Sequence, residues 1–190
     1  MTRPVSSSLE ALRSEVLNYS GRWPDEDVTP FLELLQDGDN AFGRERLEGH
    51  FTASAWLVDR RGTRLLMTHH RKLGRWLQLG GHADGDGDLA FAALREAREE
   101  SGLPGLEVDH GIFDLDRHWI PERKDVPGHW HYDVRFVVRA GDDEAFVVSD
   151  ESHALAWRDV GLLLDDPDTD PSIRRMAGKW LQRSVTRLPA

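Results

Sequence analysis

Residues 84–103 read DGDGDLAFAALREAREESGL, and the fold turns on what this stretch forms. Its three aspartates alternate with glycine, as at the start of a calcium loop. An EF-hand loop needs oxygen ligands at positions 1, 3 and 5, glycine at 6 and a bidentate glutamate at 12. Counted from Asp84, Asp86 and Asp88 fit, but position 6 is Leu89 and position 12 is Arg95. The second mismatch puts a cation where a carboxylate must stand. Asp88 is instead placed to cap a helix over about residues 88–101, which Gly102 and Pro104 stop.

On that helix Glu96, Glu99 and Glu100 lie at i, i+3 and i+4 and share one face. Ala90, Leu94 and Ala97, with Phe91 beside them, make the apolar face. A plain acidic helix explains three carboxylates as a solvated surface softened by Arg95 and Arg98. Here they follow a Gly-Gly turn, Gly80-Gly81, and clustered hard oxygens suit Mg2+ or Mn2+.

Outward from this segment the periods change. Residues 6–20 and 25–37 have helical spacing and form a helical extension over residues 1–45. From 46 to 190 the pattern mixes strands and helices. FTASAWLVD and TRLLMTHH read as a hairpin joined by RRG, and WLQL as a short strand. GLEVDHGIFDLDRHWI, HWHYDVRFVVRA and LAWRDV read as further strands, and DPSIRRMAGKWLQRSV as a last helix. The class is α+β, a mixed sheet with helices over its faces.

The chain has 190 residues, no cysteine and a net charge of -10. Disulfides, thiolate metal sites and cysteine nucleophiles are therefore excluded. So acidic a chain is a poor fit to a nucleic-acid polymer, which calls for a basic surface. An anionic small molecule still fits if cations intervene. The N-terminal MTRPVSSSLEALRSE has no apolar run and no stretch approaches a membrane span, so neither a signal peptide nor a membrane partner is expected, and the expected location is cytoplasmic.

Residues 81–103 resemble the Nudix box, G-x5-E-x7-R-E-U-x-E-E-x-G-U, with U a bulky apolar residue. Gly81 opens it, Arg95 and Glu96 are its R-E pair, Ala97 takes the apolar slot, Glu99 and Glu100 are its E-E pair, and Gly102-Leu103 close it. The departure is Gly87, which stands where the box has its first glutamate. In the family that glutamate commonly supports the motif arginine; here either Asp86 or Asp88 takes its part, or the pairing is absent. The likeness spans roughly residues 48–165 and implies an α/β/α sandwich. It also implies a hydrolase that cleaves a nucleoside diphosphate linked to another group, with Mg2+ or Mn2+ on Glu96, Glu99 and Glu100. Glu99, Glu100 and Arg95 are the expected catalytic residues.

Outside the box, strand alternation in HWHYDVRF places His129, His131, Asp133 and Arg135 on one face. That face reads either as the polar side of an edge strand or as a second wall of the site. His82, next to the glycine pair, and Arg71, in a basic loop with His69, His70, Lys72 and Arg75, are further candidates for substrate contact. Glu151 is a candidate base, and Trp119 and Trp130 are candidate stacking surfaces. Two other readings compete. Isopentenyl diphosphate isomerases resemble the same fold but rely on a cysteine, which this chain lacks. A non-catalytic nucleotide-binding sensor fits the Gly87 departure. ADP-ribose, nucleoside triphosphates, dinucleoside polyphosphates and coenzyme A derivatives all fit the motif, and the N-terminal helices can either cap the sheet or pack across a homodimer.

Overall fold

The protein was analysed as a computed structural model, which describes residues 5–123, 126–149 and 152–186. Helix α1 (Val5–Arg22) leads to α2 (Thr29–Leu34) and a 3-10 segment (Leu35–Phe42). Then follow β1 (Gly49–Val58), β2 (Arg64–His70), β3 (Trp76–Leu77), β4 (Leu79–His82), α3 (Leu89–Ser101), β5 (Glu107–Ile120), β6 (His129–Arg139), β7 (Ser152–Asp159), α4 (Val160–Asp165) and α5 (Pro171–Thr186). Among the described residues no helix is long and apolar enough to cross a membrane.

The strands form one mixed sheet in the order β3-β2-β1-β6-β5, with β4 also on β1 and β7 also on β2. Only β1 and β6 run parallel. The expected β1–β2 hairpin is a single rung, Val58 opposite Leu65. The two strands then part because β4 takes the edge of β1 from Thr52 to Ala55, while β2 pairs with β7. The helix expected over residues 25–37 also differs. It starts only at Thr29, with Pro30 in its first turn, and tightens into the 3-10 segment, whose Gly38 has a positive φ of 60°. Helix α4, capped by Asp159, was not anticipated from the sequence.

Two apolar layers enclose the sheet. On one face Leu12, Val16, Phe31, Phe42 and Ala93 pack on Phe51, Ala53 and Val134. On the other, Trp56, Met67 and Val137 meet Val160 and Leu163 of α4 and Ile173 and Met176 of α5. This is the α+β sandwich expected from the pattern, and the N-terminal helices share its first layer.

A line of charge crosses the second face. Cross-strand register sets Asp114 on β5 opposite Arg135 on β6, and both are buried. Asp114 accepts from Arg135 Nη1 at 3.2 Å, from Arg175 Nη2 at 2.7 Å and from Lys179 Nζ at 2.7 Å. Lys179 also donates to the Tyr19 hydroxyl at 2.6 Å, so α5, α1 and the sheet share one network. Burial alone would raise the carboxyls of Asp114 and Asp116, but their bonds and charges from the surrounding cations outweigh it and hold both below the usual range.

A carboxyl depressed in the folded state stabilises it above its unfolded pKa of about 4, and that stabilisation is lost as pH falls toward the folded value. Urea midpoints are therefore expected to drop as pH is lowered from about 5 to about 3. Asp114→Asn leaves two buried cations, Arg135 and Lys179, and the half-buried Arg175 short of a counter-charge. It is expected to cost about 3–5 kcal/mol near neutral pH and to flatten the acid slope, both read from urea melts of the two proteins across this range.

Candidate active site

Strand β4 enters the site as Leu79-Gly80-Gly81-His82, with Ser54 opposite Gly80 and Thr52 opposite His82 on β1. Gly80 has φ 157° and lies so close to Ser54 that any side chain would overlap it and the Ala53 carbonyl. The loop 83–88 then separates the three aspartates. Asp84 pairs with Arg44, Asp86 accepts from the Asp88 amide, and Asp88 accepts from the Phe91 amide at 3.1 Å as the N-cap of α3. They do not act as one ligand set, which agrees with rejecting the calcium loop. Gly102, in the left-handed region at φ 66°, ends the helix by donating to the Arg98 carbonyl.

Helix α3 buries Ala90, Ala92, Ala93, Leu94, Ala97 and Ser101, while Phe91 is 50% exposed. The apolar stripe is thus rotated away from Phe91 and toward Ala93, next to the Glu100 position. This draws the three carboxylates into different surroundings. Glu100 is buried, and its Oε1 accepts from the Gly80 amide at 2.8 Å. Glu96 is half-buried and lies against Gly81, where a Cβ would overlap its carboxylate. Glu99 is exposed. Burial raises the Glu96 carboxyl above the usual range, and the nearby Glu99 adds to it, although Arg95 opposes both. Glu96 and Glu99 repel each other, and carboxylate oxygens suit a small divalent cation, but among the described residues the ligand atoms gathered within 4.8 Å of one another are those of His50, His82 and His131, not of the three glutamates.

Arg95 Nη2 donates to Glu96 Oε1 and to the His82 carbonyl, each at 3.0 Å. Neither Asp86 nor Asp88 is its partner, since both are engaged in shaping the loop, so of the two alternatives the absent pairing is the one found. A Cβ at Gly87 would stand 3.3 Å from Ser8 Cβ on α1, with the Phe42 ring behind it, so a side chain there presses on the N-terminal helix, which must give by a few tenths of an ångström.

On β6, His129, His131, Asp133 and Arg135 do share a face, but not that of an edge strand, because β6 lies between β1 and β5. Asp133 is buried and accepts from Thr52 at 3.0 Å, Ser54 at 2.9 Å and Arg135 at 2.7 Å, with Gln78 at 3.4 Å. Its oxygens are spent on tying β6 to β1 and to Gln78 between β3 and β4. His82 joins His129 and His131, and the sequence reading missed two further members, His50 and His118. The signal was present in the polar alternation His50-Thr52-Ser54 and Asp114-Asp116-His118. Arg71 stands apart on the β2–β7 pair, donating to the Ser152 carbonyl at 3.2 Å. Trp119 and Trp130 meet edge to face with centroids 5.3 Å apart, and Arg117 covers Trp130. Glu151 lies outside the described residues.

A family model described as the NUDIX domain matches residues 49–178. Among solved structures, an Ap4A hydrolase from C. elegans in a binary complex is similar at a TM-score of 0.56 and 14% identity, over 72% of this chain and 98% of that one. A MutT protein from Methanosarcina mazei Go1 is similar at 0.56 and 17%, over 73% and 97%. The Nudix hydrolase RenU from M. smegmatis is similar at 0.54 and 21%, over 75% and 90%. No curated protein sequence matches the chain.

Gly87→Glu restores the box residue and forces it against Ser8. It is expected to cost about 1–3 kcal/mol by overpacking and to speed amide exchange in α1. Urea melts and hydrogen-exchange mass spectrometry check this; unchanged exchange in α1 would show that the helix does not depend on the glycine.

Proposed function

The chain belongs to the Nudix hydrolase family, whose members act on phosphorus-containing anhydrides, and on that premise we propose that it cleaves a diphosphate linkage in a nucleotide-like small molecule, with Mg2+ or Mn2+ held by Glu96, Glu99 and Glu100. The observation that carries this is the seating of the carboxylate face on Gly80-Gly81 of strand β4, through the Gly80 amide on Glu100 and the bare Gly81 under Glu96. A divalent ion there would neutralise phosphate charge, orient the diphosphate and activate water.

The protein's own groups divide the remaining work. Arg95 orients Glu96 and fixes the β4 backbone through the His82 carbonyl. Glu100, immobilised by Gly80, is a fixed ligand. Glu99 is the carboxylate that solvent reaches, and it is the group we assign to take a proton from water. His82, His129 and His131 cluster on the opposite face of the sheet and are the imidazoles we assign to substrate contact, with His82 tied to the carboxylate helix through its carbonyl on Arg95. Arg71 supplies a cation on the neighbouring strand pair. The name of the C. elegans neighbour, an Ap4A hydrolase, supports a nucleotide-like substrate.

A panel of diphosphate-containing nucleotides, assayed with Mg2+ or Mn2+ for phosphate or nucleotide release, tests this. Glu100→Gln is expected to lower turnover at least about 100-fold, roughly 2.7 kcal/mol of barrier. Binding of a nucleotide without turnover of any panel member by the wild type would favour the sensor reading to which Gly87 points.

A further inference from the structure

Five of the nine histidines gather on one patch of the sheet, outside the carboxylate set. Register explains it. His50 on β1, His131 on β6 and His118 on β5 stand in one row across adjacent strands. His82 ends β4 opposite Thr52, one row along. Like groups in such contact need a reason. Buried imidazoles are usually held by hydrogen bonds, yet His50, 2% exposed, has an Nε2 with no partner. Its Nδ1 donates to the Arg46 carbonyl at 3.2 Å, which puts the proton there and leaves Nε2 as a bare lone pair. His129 repeats the arrangement, with Nδ1 donating to the Pro127 carbonyl at 2.8 Å. Its Nε2 accepts from the Nε2–H of His131 at 3.1 Å, which leaves Nδ1 as the lone pair of the neutral His131 ring.

We propose that His50, His82 and His131 bind a borderline-soft divalent cation, zinc by preference, at a site separate from the carboxylates of α3. One ring nitrogen from each lies within 4.8 Å of the others. Around a tetrahedral ion the nitrogens stand about 3.4 Å apart, so binding draws the rings in by about an ångström. His129 stands beside the set as the fourth imidazole. Imidazole nitrogens suit zinc, copper, iron and nickel, whereas Mg2+ favours carboxylate and water oxygens. Burial lowers the His82 pKa to about 4 and that of His131 to about 2, with neighbouring imidazoles and Arg44 assisting, and burial lowers His50 as well. The rings are therefore neutral near pH 7, the form that ligates. Bound there, the ion clasps β1, β4 and β6, whatever the chemistry on α3.

The test is zinc titration of the chelator-stripped full-length protein in competition with a chromophoric chelator, in the presence of excess Mg2+. One tight equivalent is expected for the wild type. His82→Ala and His131→Asn should each weaken it at least about tenfold, while the double variant Glu96→Gln/Glu99→Gln leaves it within about threefold. Should a histidine variant fold poorly, the wild type answers alone. One equivalent of zinc must shift the imidazole nitrogen resonances of His50, His82 and His131, and cobalt in its place must give a tetrahedral visible spectrum. Zinc uptake that follows the glutamates and ignores the histidines, or imidazole resonances unmoved at one equivalent, would overturn the proposal. Either result leaves the hydrolase reading to its own assay.

Discussion

Arg135 stands in the middle of a β-sheet with 2% of its surface exposed. A guanidinium does not give up its proton in proteins, so the fold must supply the counter-charge. Burial works against the charged form, but Asp133, Asp116 and Asp114 outweigh it and raise the pKa further. Three carboxylates exceed the need of one arginine. Arg175 and Lys179 restore the balance, and both come from α5. Lys179 in turn meets Glu26 at 2.6 Å and the Tyr19 hydroxyl, which draws the N-terminal helix into the same network. One buried cation thus dictates where two helices dock. It also fixes register, because a slip of one residue would turn Arg135 out of the network and an apolar residue into it.

The same polar face continues along the strands and changes character as it goes. Arg135 sits between Asp114 and Ser54, the next row reads Asp116, Asp133, Thr52 and His82, and the row after it reads His118, His131 and His50. Helix α5 meets this face at Asp114 and Asp116 through Arg175. Further along, imidazoles replace ion pairs. Neutral rings can be buried together at far lower cost than unpaired charges, so the stripe stays polar without more cations.

The stretch DGDGDLAFAALREAREESGL shows why some of this was legible. A cap, a stop and an i, i+3, i+4 face are local features, and local geometry places them: Asp88 and Gly102 bound the helix where the pattern put them. Alternation in β6 likewise told which side chains share a face. What the pattern could not convey is what that face meets. Whether β6 is an edge or an interior strand depends on β1 pairing with it in parallel across about 80 residues of chain, as Thr52 does with Asp133. The β1–β2 hairpin is present, but its short extent was hidden for the same reason, since β4 takes the edge of β1 from Thr52 to Ala55. Gly87 looked like damage to a motif because its neighbour Ser8 lies on a helix that the motif does not include.

Strand alternation also explains how two donor sets of different chemistry can adjoin without merging. Consecutive residues of β4 point to opposite faces. Gly81 turns toward α3, where Glu96 lies against it, while His82 turns toward the histidine row. Carboxylates favour hard cations and imidazoles favour softer ones, and one strand thickness separates them. Arg95 spans the divide, since a single nitrogen of its guanidinium holds both Glu96 and the His82 carbonyl. A shift of β4 that repositioned His82 would be felt at Glu96 through that nitrogen, and at Glu100 through the Gly80 amide. The Gly80-Gly81-His82 triplet is therefore the mechanical link between the two faces: bare Gly81 lets Glu96 come close, and bare Gly80 lets β4 close on Ser54 of β1.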